Sequence, residues 1–197
     1  MKNKGWLIAL GVVAVIVIIF VSGYNSLVSS RETVNAQWAN VENQYQRRAD
    51  LVPNLVATVK GYASHEEKVF AEVADARSKL GGTVTLDSSI TDDPEKFAEF
   101  QKAQGQLGSS LGRLLALTEN YPELKANENF KDLQSQLEGT ENRISTERKR
   151  YNDAARAYNI SRARFPKVVI ANMFGFKEKA YFQAEEAARE APKVSFD

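Results

Sequence analysis

The sequence predicts an all-α fold: an N-terminal transmembrane helix continuing into a long-helix antiparallel bundle of three to four helices. Three observations lead there. No Asp, Glu, Lys or Arg lies between Lys4 and Arg31. From Leu27 onward, apolar residues recur at alternating steps of four and three, the rhythm of a helix face. No segment shows the two-residue alternation of a half-buried strand.

Residues 1–4 are expected on the cytoplasmic side and residues 5–23 as the anchor. "GWLIALGVVAVIVIIFVS" (5–22) would reach roughly 27 Å as a helix, close to the hydrocarbon thickness of a bilayer. Trp6, Leu7, Ile8 and Val21 mark the anchor, with Trp6 and Tyr24 placed as interfacial aromatics. A cleaved signal peptide is the alternative, with "MKNK" as its basic region and Val21-Ser22-Gly23 as its cleavage site. The apolar run from Trp6 to Val21 exceeds the usual core of about 7–15 residues, which favours a retained anchor. Lys2 and Lys4 precede the span and only Arg31 closely follows it, so the N-terminus is expected inside and the helical body outside the cytoplasm.

Residues 24–175 are expected to form the bundle. The first seam, Leu27 to Leu80, includes Val34, Trp38, Val41, Tyr45, Val52, Leu55 and Val59, and predicts one helix over 24–80 ending at Gly81-Gly82. Residues 83–93 read as a turn-rich linker. Asp93-Pro94-Glu95 then supplies a cap, a first-turn proline and an acid at the positive end of the dipole, starting a helix over 94–119. A further helix is expected over 127–165 on the seam Phe130, Leu137, Ile144, Tyr151, Tyr158 and Phe165, then a short one over 167–174. Residues 176–197 read as a polar C-terminal tail with Tyr181-Phe182 anchoring it to the bundle.

The chain has 197 residues, a net charge of +1, no cysteine and one histidine. The charge supplies no field for nucleic acid, so no nucleic-acid partner is expected. The missing cysteines exclude disulfides, thiolate metal sites and a cysteine nucleophile, and a single histidine excludes a multi-histidine metal site within one chain. No catalytic residue, cofactor or metal site is expected, and the chain is read as a non-enzyme.

"RRADLVPNLVATVKGYASHE", "YPELKANENFKDLQSQLEGTENRISTERKRYND" and "FPKVVIANMFGF", together with the ending "EAAREAPKVSFD", closely resemble the LemA family of bacterial membrane proteins. The resemblance implies a single N-terminal span, a mainly helical body and location in the bacterial cytoplasmic (inner) membrane. One relative takes part in building magnetosome membranes, and others are encoded beside membrane proteases or TPM-domain proteins, which makes such proteins expected partners. Arg47, Arg48, Asp50, Pro53, Asn54, His65 and Glu66 carry over as family-typical positions without an assigned role.

Four features invite functional readings. Arg48, Asp50, Pro53 and Asn54 form a charged cluster around a helix-interior proline, which costs about 3 kcal/mol. This predicts a kink and a register lock, with Arg48 paired to Glu141, Glu147, Glu119 or Glu123. The bland alternative is an Arg48 that snorkels to solvent. The stripe Val34, Trp38, Val41 and Tyr45 should lie below the covering helices and serve for self-association or for a partner helix along residues 27–48, unless the tail folds over it. His65 with Glu66 is a low-probability polar site: the helical neighbours of His65 include Tyr62, Lys68 and Val69, none a ready metal ligand. The arginine-rich stretches "ENRISTERKR" and "RAYNISRARF" read as solvated, salt-bridged surface, with anionic lipid headgroups as the functional alternative. The leading function is a membrane-anchored helical scaffold or adaptor that self-associates and supports membrane organisation or a membrane protein partner; the alternatives are an enzyme subunit using His65 and carboxylates, or a membrane-tethered signal sensor.

Overall fold

The structure, a computed structural model, describes residues 3–83 and 88–183. Helix α1, Asn3–Lys60, is one unbroken helix of 58 residues. Its first part is the expected apolar span; the side chains from Trp6 to Ile19 are exposed, and this stretch is long and apolar enough to cross a membrane. The rest of α1 is the spine of the bundle. Leu27, Val34, Trp38, Val41, Tyr45, Arg48, Val52, Leu55 and Val59 are all buried along one face.

The helix expected over 24–80 is two helices. α1 stops at Lys60, a turn occupies 61–66, and α2 runs Glu67–Thr83. Gly61 follows the last helical residue, and the Ala63 side chain is buried in the turn. Glu66 stands at the start of α2, its carbonyl accepting from the Val69 and Phe70 amides. α2 also runs through Gly81-Gly82, where termination was expected. After it, a 3-10 turn at Ser88–Asp92 leads into α3, Pro94–Leu117, whose first amides at Glu95 and Lys96 donate to the Asp93 carboxylate. A 3-10 turn at Thr118–Asn120 and the short α4, Pro122–Ala126, connect to α5, Glu128–Ala163, capped by the Asn127 side chain. α6, Lys167–Met173, completes the helices. No strand occurs among the described residues.

The turn at 61–66 changes where everything after it lies. α3 starts beside Trp38 rather than at the far end of α1. Phe97 and Phe100 meet Trp38, Phe100 meets Tyr45, and Gln104 meets Arg48, so α3 runs parallel to α1. α5 runs antiparallel to α1, from Asn127 beside Tyr62 down to Ser161 and Lys167 near Ser26. The stripe Val34, Trp38, Val41 and Tyr45 is therefore intramolecular core and not an open interface; each of the four is at most 4% exposed. Trp38 is ringed by Phe97, Phe100, Tyr151 and Phe182 at centroid distances of 5.5–6.1 Å.

The expected boundary at 175/176 is also displaced. Residues 176–183 pack into the bundle as an extended strap, with Phe176, Lys179 and Phe182 buried. The strap lies along α5, which supplies partners for its backbone. The Asn159 side chain donates to the Lys179 carbonyl and accepts from the Lys179 amide, both at 2.9 Å; Asn152 does the same for Phe182 at 2.9 Å. Tyr158 and Tyr151 donate to the carbonyls of Lys177 and Ala180. Lys179 Nζ reaches Thr91 Oγ1 and the Asp92 carboxylate at 2.8 Å each, and the Ala180 amide donates to the Thr91 carbonyl. The Tyr181 hydroxyl accepts from the Asn159 side-chain amide at 2.9 Å beside this latch, while residues 184–197, which hold the ending "EAAREAPKVSFD", lie outside the described residues. Phe165, placed on the α5 seam by spacing, is 84% exposed, because α5 ends at Ala163 and its periodicity no longer applies.

Two predictions follow from this packing. In the cysteine-free chain, a cysteine placed at Val41 should resist a thiol reagent in the native protein, while one at the exposed Asn43 should react rapidly; equal labelling would refute the buried stripe. Burial pushes the Tyr151 phenol above its ordinary range, so it stays protonated in the native state while the unfolded chain ionises near pH 10. The unfolded state then binds fewer protons, and stability should fall as pH rises above about 10. Tyr151→Phe should cost about 1 kcal/mol at neutral pH and fall less steeply in alkali, as read by denaturant titrations at several pH values.

Candidate functional site: a groove floored by Arg48

Arg48 projects from the middle of α1 into the space between α3 and α5 and is 3% exposed. Its Nη1 donates to Glu141 Oε1 on α5 at 3.0 Å. Its Nη2 donates to the Gln104 carbonyl on α3 at 3.2 Å and also contacts the Gln104 side-chain oxygen. The guanidinium lies 5.1 Å from the centroid of the Tyr45 ring, which adds a cation–π contact. Only Nε lacks a partner among the described residues. The paired arginine expected from sequence is present, with Glu141 as the acid. Glu147 instead meets Arg150, and Glu119 meets Lys125.

Above Arg48, α3 and α5 leave a groove of about 660 Å³. Gly105, Gly108 and Gly112 line its α3 wall, and Glu138, Asn142 and Arg148 its α5 wall. The glycines keep the wall low. A Cβ at Gly112 would meet nothing within 4 Å, and one at Gly108 would come 3.8 Å from Arg48 Nη1. The charge pattern around Pro53 points to Arg48 but not to this groove, whose wall is marked by Gly105, Gly108 and Gly112. Their steps of three and four place them on one side of α3, which was the available signal. The groove is a shaped slot with a largely neutralised guanidinium at its floor.

The other flagged residues do not converge on it. Pro53 and Asn54 are exposed and α1 continues past them; with Pro53 on the solvent side, the carbonyl of Ala49 beneath it can be satisfied by water. Asp50 accepts from Gln46 at 2.8 Å, and Arg47 is exposed. His65 is exposed in the turn between α1 and α2 rather than inside a helix, so the helical-spacing argument does not apply to it. Glu66 accepts from the Tyr121 hydroxyl at 3.3 Å, and the described residues contain no group of three His, Cys, Asp or Glu placed to hold a metal ion. Asn159, a sequon by pattern, has its amide buried against the strap.

Fold and groove together define a class: an all-helical bundle built on one N-terminal helix whose exposed apolar end is long enough to cross a membrane. The chain belongs to the LemA family, whose model matches residues 37–196. That region holds Arg48, the groove and the strap. Among similar proteins, two named magnetosome protein MamQ from Paramagnetospirillum magneticum are each 31% identical over 191 residues, covering 87% of this chain and 68% of the relative. Magnetosome protein MamQ of Magnetospirillum gryphiswaldense is 29% identical over 187 residues with the same coverage. Protein LemA of Metamycoplasma hominis is 23% identical over 171 residues, covering 87% of this chain and 74% of the relative.

If Arg48, Glu141 and Gln104 act as one unit, their effects will not add. Glu141→Ala should destabilise by about 1–3 kcal/mol, below the range for a fully enclosed pair because the Glu141 side chain is 44% exposed. Arg48→Met, which keeps volume and removes the charge, should cost less, and Glu141→Ala should then add little in that background. Strictly additive losses in a double-mutant cycle would show that the pair is uncoupled.

Proposed function

We propose that this protein is a membrane-anchored helical scaffold or adaptor, supporting membrane organisation or a membrane protein partner. The observation that carries the reading is the unbroken α1: its exposed apolar end suits lipid, and its remainder is the spine on which the bundle is built. The anchor is single-pass, with the N-terminus inside and the body outside the cytoplasm, on the strength of Lys2 and Lys4 before the span. The MamQ relatives, named as magnetosome proteins, favour the membrane-organising version. Self-association or partner binding uses the groove between α3 and α5 and the sides of the span, since Val34–Tyr45 is already covered. The enzyme alternative has little to build on: His65 is exposed in a turn and Glu66 is engaged by Tyr121.

A photo-crosslinking residue at Ser109, which lines the groove, tests this in intact cells alongside alkaline extraction of the membranes. The expected result is a carbonate-resistant protein giving a discrete crosslinked band from Ser109 and none from the exposed Lys131. A band of twice the chain mass identifies a second copy; any other discrete mass identifies a partner. Extraction by carbonate would refute the anchor, and an anchored, folded chain without a Ser109 band would refute the groove as the binding surface.

A further inference from the structure

The segment 165–174 is apolar on two opposite sides. Toward the bundle, Ile170 and Ala171 are buried. Ile170 reaches α1 at Gly23, so closely that a Cβ there would come 2.5 Å from Ile170 Cδ1. Away from the bundle, Phe165, Val169, Met173 and Phe174 are 48–84% exposed. Val169 and Met173 are four residues apart and share one face of α6, and Phe165 lies exposed just ahead of the helix. This seven-residue helix carries apolar side chains on both sides, and only one of those sides is covered by protein.

Its position explains the second side. Phe174 packs on Phe20 and Tyr24 of α1 at centroid distances of 5.9 and 4.9 Å. Lys167 Nζ donates to Ser26 Oγ at 2.8 Å. α6 therefore sits beside the last turn of the apolar span, where hydrocarbon gives way to headgroups. Its exposed residues continue the exposed apolar surface of α1. Arg164 and Lys177, both exposed, flank the segment in sequence and supply cations of the kind that pair with lipid phosphates.

We propose that residues 165–174 are a second membrane contact, seated in the interfacial layer of the bilayer beside the span. The occupant of this face is lipid. Phe165, Val169, Met173 and Phe174 enter the boundary between headgroups and acyl chains, as the apolar side of an interfacial helix does. One span alone lets a body tilt and rotate; a lateral contact beside it fixes the bundle's tilt and turns one side of it toward the membrane. This rests on the anchor reading above, so the test separates the two.

The full chain, reconstituted in phosphatidylcholine–phosphatidylglycerol nanodiscs, would carry a single nitroxide-labelled cysteine at Leu10, Val169, Met173 or Lys131. Collision rates with oxygen, which concentrates in lipid, and with a water-soluble nickel chelate are then compared. Labels at Val169 and Met173 should favour oxygen over nickel several-fold relative to Lys131, in the direction of Leu10. Val169 and Met173 labels that match Lys131 while Leu10 reports lipid would overturn the second contact and leave the anchor standing. Labels at 169 and 173 shielded from both reagents would mean protein covers the face, which also overturns it. A Leu10 label exposed to nickel would overturn the anchor itself.

Discussion

One helix in this protein has to satisfy two solvents. Over its first turns α1 is apolar all round and exposed, a surface suited to lipid; beyond Tyr24 it keeps a single buried face. Nothing breaks it between the two regimes. The rotational setting of the bundle face is therefore fixed relative to the span, because each residue turns the helix by the same angle. Elements packed against the lower part of that face inherit a fixed position relative to the span's end. α6, held against Gly23 and Tyr24, is one of them.

Arg48 sits where two cores meet. On the side of the span lies an aromatic core built around Trp38, with Leu27, Val34, Val41 and Tyr45. On the far side lies an aliphatic core in which Val52, Leu55 and Val59 meet Leu107, Leu111 and Leu114. Two apolar cores in a heptad-like packing tolerate slippage of one helix along another, since apolar contacts are not directional. Arg48 does not tolerate it: a heptad shift would take Glu141 roughly 10 Å along the helix axis and leave the guanidinium buried without its acid. The half-exposed Glu141 keeps part of its hydration, which lowers the cost of assembling the pair. A Cβ at Gly108 would only touch the guanidinium, at 3.8 Å, so the lock itself does not require glycine there.

Local signals in the sequence were legible where a single residue type fixed the backbone. The Asp93 cap, the Asn127 start and the apolar span appear where the sequence placed them. Glu141 was one of the acids expected for Arg48. The turn at 61–66 was not legible from periodicity, because Tyr62, Val69, Val73 and Leu80 continue the same spacing that a single helix would show. Two helices joined by a turn and one long helix share that rhythm, and Gly61 is the one weak helix former at the break. The direction of α3 and the exposure of Val34–Tyr45 were both derived from the longer helix, so one missed turn displaced both. The strap was hidden for another reason. Its partners on α5 are polar, and the repeat that announces them is the Tyr-Asn dipeptide at 151–152 and 158–159, seven residues apart.

That repeat also explains why α5 reads as a charged surface. An extended strand rises about 3.3 Å per residue against 1.5 Å in a helix, so the eight residues of the strap cover roughly twice the length that a helix of the same chain could. The strap thereby closes the aromatic core with very little chain. An isolated extended segment leaves its amides and carbonyls unpaired, however, and burying them is costly. α5 answers with side chains that act as a neighbouring strand would: Asn152 and Asn159 each pair with both the amide and the carbonyl of one strap residue. Arg162 takes the Phe176 carbonyl, and Arg148 takes the Gln183 carbonyl while covering the Phe182 ring at 4.8 Å. Part of the basic pattern that looked like a solvated or lipid-facing surface is thus backbone chemistry, set by the need to hold an extended segment against a helix.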